Sequence, residues 1–241
     1  MIRTVLSNPD STLNHFLLST IIHSPWFQVS FSQFGEDLIV AGIFRALGNK
    51  KIRYFDIGAH DPFECSNTAY FYQRGNNGVC VEPNPELYSA LTRKRKRDIC
   101  INTGVGANSD VESEFFVFDG SSLSTFSPDE VSHLLALGMK IDRTLRIKMM
   151  AANDIIKQYL LPSPNFVSLD VEGSEMDILQ QWDFSNYRPE VFCIETLTFS
   201  LDNTGNKRKE IIDFMKNKNY FIFADTHLNT IFVNKACWKG K

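Results

Sequence analysis

From residue 51 onward, short runs rich in Val, Ile and Phe alternate with stretches of helical periodicity, and no other feature constrains the fold as strongly. Parallel neighbours need a crossover long enough to return the chain to the same edge, so this alternation predicts a mostly parallel sheet with helices on its faces. Seven strands are expected, at Ile52–Ile57, Val79–Val81, Ile99–Thr103, Phe166–Leu169, Val191–Ile194, Tyr220–Phe223 and Thr230–Val233. The stretch from Ala224 to Asn229 is too short for a crossover helix, so the last two strands are expected to form an antiparallel hairpin. Ser66 is placed to cap a helix through Ala69, Tyr70 and Tyr72 that Gly75 closes, and a second helix is expected after Pro85. Between Glu114 and Met150 the alternation breaks. An extra strand is expected there at Phe115–Phe118, then a serine-rich loop at Gly120–Ser127 and a helix near Asp129–Leu137.

The 241 residues are 43% hydrophobic, enough to bury a large core without disulfide or metal staples. The predicted organisation is one domain, with residues 51–241 as the α/β unit and residues 1–50 as a helical extension packed on it. Within that extension Leu13, Phe16, Leu17, Thr20 and Ile21 fall at helical spacing. No run reaches the ~20 apolar residues of a membrane span. Cys65, Cys80, Cys100, Cys193 and Cys237 are odd in number and lack C-x-x-C spacing, which predicts reduced, mostly buried thiols and a cytoplasmic location.

Ligands of an open parallel sheet bind beyond the carboxyl ends of its strands, and here those ends are acidic. Asp56 closes the first predicted strand, Glu82 the second, Asp170 with Glu172 the fourth and Glu195 the fifth. The loop Asp56-Ile57-Gly58-Ala59-His60-Asp61-Pro62-Phe63 holds His60 and Phe63 where a dinucleotide fingerprint needs its second and third glycines. Asp56 and Asp61 would also repel a pyrophosphate. Gly58 still lets a ligand approach the backbone, and Glu82, 24 residues beyond it, is placed to accept hydrogen bonds from a ribose diol. S-adenosyl-L-methionine fits these requirements, since it offers an ammonium, a sulfonium and a ribose, and carries no phosphate.

One basic cluster, Arg93-Lys94-Arg95-Lys96-Arg97, stands out from a chain with 28 acidic and 25 basic side chains. It reads first as the solvated C-terminal end of a helix, where cations meet the negative dipole end, and second as a phosphate or anionic-surface patch. A lone pentad on an otherwise acidic chain does not predict nucleic-acid binding.

The segments Ser32-Gln33-Phe34-Gly35-Glu36-Asp37, Phe55-Asp56-Ile57-Gly58-Ala59-His60, Val81-Glu82-Pro83-Asn84-Pro85, Ser168-Leu169-Asp170-Val171-Glu172-Gly173-Ser174-Glu175 and Ile194-Glu195 resemble, in the same order, the motifs of FkbM-type methyltransferases. The resemblance runs from about Ser32 to Phe232, and D-V-E-G-x-E is its most specific part. It implies a Rossmann-like class I methyltransferase fold, S-adenosyl-L-methionine as donor, and a hydroxyl acceptor on a sugar of a glycan, a lipopolysaccharide or a small-molecule natural product. It places Asp56, Gly58, Ala59 and His60 at the cofactor loop, Glu82, Pro83 and Asn84 at the ribose, and a Gly104-Val105-Gly106 turn along the adenine. Pro62 and Phe63 depart from the glycine-rich continuation of many members.

Asp170 is the first candidate for the base that removes the acceptor proton, and His60 is the alternative. Glu172 and Glu195 are candidates for a second base, for acceptor binding or, with Asp170, for a divalent cation. Glu175 reads as a first-turn helix residue. Gln33, Glu36 and Asp37 are expected at the start of a helix over the cofactor cleft. Ser122, Ser124 and Thr125 belong to a loop that could reach the acceptor, and Thr196–Ser200 to a wall of its pocket. Transfer to nitrogen or to a nucleic-acid ribose, and a non-catalytic cofactor-binding role, are the alternative functions.

Overall fold

The computed structural model describes residues 28–49, 51–119, 123–200 and 204–238. The predicted helix around Leu13–Ile21 and Ser122 lie outside them. In chain order the first elements are α1 (Glu36–Leu47), β1 (Arg53–Ile57), α2 (Ala69–Gln73), β2 (Asn77–Val81), α3 (Pro85–Lys94), β3 (Ile99–Ile101), β4 (Gly104–Gly106), β5 (Val111–Phe118) and β6 (Ser124–Thr125). They are followed by α4 (Pro128–Ala136), β7 (Ile141–Ala151), α5 (Ala152–Tyr159), β8 (Phe166–Leu169), α6 (Glu175–Gln181), β9 (Val191–Glu195), α7 (Lys209–Asn217), β10 (Tyr220–Asp225), β11 (Asn229–Asn234) and α8 (Lys235–Trp238). All of them fall in one unit that begins at Phe31.

The main sheet runs β10-β11-β9-β8-β1-β2-β3. Neighbours from β9 to β3 are parallel, and β11 is antiparallel to both β9 and β10, which makes the hairpin expected from the short connection. This is a Rossmann-like α/β sheet. Its strands are apolar on both faces: Phe55, Ile57, Val167 and Phe192 pack with Ile155, Ile178 and Ile211 of α5, α6 and α7, while Tyr54, Phe166 and Val191 pack with Phe44, Phe71 and Leu91 of α1, α2 and α3. Double-sided burial explains why the runs read as continuously hydrophobic instead of alternating.

A second sheet, β4-β7-β5-β6, occupies the region where the alternation broke. β7 is an eleven-residue strand absent from the sequence reading. Its Leu145, Ile147 and Met149 face inward, while Thr144, Arg146 and Lys148 are exposed, a period of two that identifies a half-buried strand. The segment Gly104-Val105-Gly106 is not the expected turn. It is the strand β4, paired with Met149 to Ala151 of β7, because β7 offers a free edge for it.

Among the described residues, no helix is long and apolar enough to cross a membrane. All five cysteines are free; Cys80 and Cys193 are buried, Cys100 and Cys237 half-buried, and Cys65, against expectation, exposed.

The basic pentad is divided by the fold. Arg93, Lys94, Lys96 and Arg97 are exposed, but Arg95 is 0% exposed, which corrects the reading of the whole cluster as solvated or as a surface patch. α3 stops at Lys94, and the turn that follows directs Arg95 into the core. There its Nε donates to Asp98 at 2.7 Å and its Nη atoms donate to Pro62 O, Tyr54 Oη and Thr68 Oγ1. Asp98 in turn accepts from Tyr54 Oη and the Gly78 amide. Removing one member of a buried pair strands the other charge, at a cost of about 3–5 kcal/mol. Arg95→Ala is therefore expected to lower the unfolding free energy by about that amount in urea titrations, whereas Arg93→Ala and Lys96→Ala stay within about 0.5 kcal/mol. Equal effects at the three positions would contradict the buried role.

Candidate functional site

A cavity of about 420 Å³ opens at the carboxyl ends of β1, β2 and β8. Asp56, Glu64, Glu82, Asp170 and Glu172 line it, and no Lys or Arg is among its described lining residues. The loops that shape it are fixed by backbone contacts. Gly58 N and Ala59 N donate to Val81 O, and Asp170 N donates to Ile57 O at 3.0 Å, so three strand ends are tied together. Gly58 has φ 82°, and a Cβ there would lie 1.7 Å from the Asp170 carbonyl oxygen. Only glycine satisfies both demands.

Glu82 follows β2 and accepts from His60 N and Asn84 N, both at 2.8 Å, which turns its carboxylate into a brace for the loop that follows β1. Burial pushes its pKa up to about 7, against the pull of those two amides. Asp56, on β1, accepts from the Thr68 hydroxyl; burial raises its pKa and Arg95 opposes the rise. His60 adopts a left-handed φ of 48°, and burial lowers its pKa, so its imidazole is neutral at pH 7.

Asp170 lies beyond the end of β8. Burial, then repulsion from Glu175, pushes it up to about 7, while a hydrogen bond with Glu195 acts downward. Glu195, at the end of β9 and 8% exposed, does not line the cavity; burial and the Asp170 charge push its carboxyl well up, so it is the protonated partner. Carboxylate oxygens of Asp170, Glu175 and Glu195 lie within 4.8 Å of one another. Glu175 is the structural member: it accepts from the amides of Val171 and Gly173 and pairs with Arg208. The cation-ligand set suggested by the sequence contained Glu172 instead. Glu172 lines the cavity from a strained φ of 54°, and burial with the neighbouring Asp170 and Glu175 charges raises its pKa well above the usual range.

The remaining candidates separate. Gln33, Gly58, Ala59, Pro83 and Val105 line the cavity. Gly104 does not; it packs against Met149 and Phe126. Glu36 does not either. It is fully buried at the start of α1, where its Oε1 accepts from Thr226 and Asn229 of the C-terminal hairpin and its Oε2 from Phe34 N; burial acts upward on its pKa, but these bonds leave it lowered. Asp37 accepts from Phe31 N and from the Ser32 hydroxyl. Asn84 caps α3 by accepting from Glu86 N. Thr196–Ser200 are absent from the described cavity walls.

A second cleft, about 450 Å³, adjoins the first and shares His60, Leu87 and Ser124 with it. Its other lining residues include Asn84, Glu86, Asp119, Asp142 and Arg143, and Arg143 pairs with Glu86 at 2.9 Å. The second sheet supplies Val105, Phe115 and Ser124 to the first cavity, with Phe126 just past β6, and Val117, Phe118, Asp142 and Arg143 to the second. Ser124 lies where the sequence placed a loop that could reach the acceptor, and Phe115, Val117 and Phe118 lie on the expected extra strand; Asp142 and Arg143 escaped the sequence reading, although the period-two pattern of β7 would have revealed Arg143 on a strand.

The chain is 23% identical over 125 residues to the hexuronic acid methyltransferase AglP of Haloferax volcanii. That alignment covers 52% of this chain and 46% of AglP, so the chain spans about half the length of this relative. Among solved structures, the methyltransferase FkbM from Methylobacillus flagellatus aligns at a TM-score of 0.45 and 14% identity, over 76% of this chain and 43% of that one. The O-methyltransferase from Bacillus cereus, in complex with SAH, aligns at 0.41 and 12% identity, over 92% and 88%. The family model described as the methyltransferase FkbM domain matches residues 56–222, more than two thirds of the chain and every strand end that builds the cavity. The protein belongs to the FkbM methyltransferase domain family.

Proposed function

We propose that the protein is an S-adenosyl-L-methionine-dependent O-methyltransferase whose acceptor is a sugar hydroxyl. The observation that carries the donor is a cavity walled by five carboxylates with no lysine or arginine among its described lining residues. A phosphate-bearing cofactor would be repelled there, and a ligand with an ammonium and a sulfonium would be attracted. The fit extends to shape, because Gly58 lines the cavity without a side chain to fill it and Glu82, with lone pairs beyond those that brace the loop, is placed to accept from a ribose diol.

The bound cofactor supplies an electrophilic methyl group on a positively charged sulfur. The chain's own task is to hold an acceptor oxygen in line with it and to take the oxygen's proton. Asp170 is the group best matched to the second task, because a carboxyl held near pH 7 gives up and accepts a proton at neutral pH. Glu195 behind it holds the complementary proton. The adjoining cleft, with acceptor carboxylates at Glu86, Asp119 and Asp142, donors at Arg143 and Asn84, and an apolar floor of Leu87 and Val117, suits a polyhydroxylated ring. A sugar acceptor also agrees with the hexuronic acid named for AglP.

Because Glu82 and Asp170 are neutral below about pH 7 and charged above it, their attraction for a cationic ligand appears as pH rises through that value. Calorimetry is expected to show S-adenosyl-L-methionine affinity rising about tenfold between pH 5.5 and 7.5. A flat profile, or binding of NAD in its place, would refute the donor assignment. Asp170→Asn keeps the shape and removes the base, so turnover should drop by about 10²–10⁴ while the dissociation constant of the cofactor at pH 6, where Asp170 is largely neutral already, moves by less than about threefold. Full turnover in that variant would remove Asp170 from the role.

A further inference from the structure

Thr68 is the N-cap residue of α2, yet its hydroxyl makes no capping bond. The Ser66 hydroxyl accepts from the Ala69 amide instead, and the Thr68 hydroxyl is directed into the sheet. There it accepts from Arg95 Nη2 at 2.9 Å and donates to Asp56 Oδ2. Thr68 and Arg95 are both 0% exposed, and Asp56 is 4% exposed at the cavity wall. Arg95 cannot move toward Asp56 or away from it, because Asp98, Pro62 O and Tyr54 Oη hold the guanidinium in place. A threonine at an N-cap that gives up its cap, next to an arginine that gives up its hydration, needs a purpose beyond stability.

We propose that Arg95 and Thr68 form a buried positioning pair that fixes the Asp56 carboxylate at the cavity wall and keeps it charged, so that this pair sets how strongly the cavity holds a cationic ligand. The proposal rests on the donor reading above. Two effects act together. The hydroxyl pins one carboxylate oxygen and leaves the other directed by that bond. The guanidinium, one hydroxyl away, supplies a positive charge that the cavity lining lacks. Opposing it are the groups around Asp56: Asp98 beside Arg95, Cys80 and Glu82 from β2 and its end, Cys100 from β3, Asp170 beyond β8, and Cys193 from β9, with the Ser168 hydroxyl as a second donor. Of these, Asp98, Glu82 and Asp170 are the carboxylates that oppose ionisation of Asp56, so without Arg95 its pKa would rise further and less charge would face the cavity.

The test uses the full chain and S-adenosyl-L-methionine as the probe. Thr68→Val keeps the volume and deletes the relay, and it is expected to weaken binding about tenfold at pH 7, with a deficit that shrinks toward pH 8.5 as the carboxyl ionises unaided. Thr68→Ser restores the hydroxyl and should restore affinity to within about twofold. A loss that is uniform with pH, or one that serine does not rescue, marks a merely structural threonine and overturns the proposal. Should Thr68→Val fail to fold, the ¹³C titration of the Asp56 carboxyl in the ligand-free wild type decides the matter: an ionised group at pH 7 supports the pair, and a protonated one overturns it. This titration needs no cofactor, so a wild type that does not bind S-adenosyl-L-methionine would defeat the donor reading while the pair is still judged by its own result.

Discussion

The chain leaving β1 passes so close to the chain leaving β8 that no side chain fits between them. Gly58 lies against the Asp170 carbonyl, and backbone bonds from Gly58 and Ala59 to Val81, and from Asp170 to Ile57, tie the ends of β2, β1 and β8 into one rim. Three carboxylates follow from that closeness, since Asp56, Glu82 and Asp170 all lie at or just past those ends. Crowding like charges in a partly dry cavity raises their pKa values and opposes folding, so the protein needs counter-charge placed outside the cavity itself. Two such groups are found among the described residues. Arg95 approaches Asp56 from beneath, through Thr68, and Arg208 pairs with Glu175 behind Asp170. The positive charge stays in the framework and the negative charge faces the cavity, which is the polarity that a cationic ligand completes.

The parts of this arrangement that were legible in the sequence are those where one residue type carries the signal locally. A strand buried on both faces shows as an apolar run, a strand end as the acid that follows it, and a hairpin as a connection too short for anything else. The contacts of Arg95 were not legible, because its role depends on α3 ending one residue earlier, which turns it back onto Asp98, and on Tyr54 and Thr68 converging from two other segments. Within Arg93–Arg97 the residues look alike; the turn after Lys94 makes one of them different. Glu36 misled for a similar reason. A first-turn acid beside a cofactor cleft and a first-turn acid bound to Thr226 and Asn229 have the same sequence signature, and the partner lies 190 residues away. Gly104 and Gly106 suggested a turn, but the strand they form depends on the edge of β7, more than forty residues later. β7 itself was legible and missed: its alternation was present, hidden in a stretch treated as irregular.

The two sheets divide the lining of the site. The seven-stranded sheet and its loops provide the carboxylates of the first cavity, whereas the four-stranded sheet lines that cavity with Val105, Phe115 and Ser124 and provides Val117, Phe118, Asp142 and Arg143 to the second cleft. The two pockets meet at His60, Leu87 and Ser124, which line both. Under the proposed function the four-stranded sheet would shape the acceptor side of the site. Such a division is physically economical. Changes in Asp142 or Arg143 on β7 alter hydrogen bonding in the second cleft without disturbing the Gly58–Asp170 contact or the charge balance beneath Asp56, because β7 pairs with β4 and β5 and not with any strand of the main sheet. Under the proposed function, a fold built this way keeps the donor side fixed while the acceptor side is free to vary.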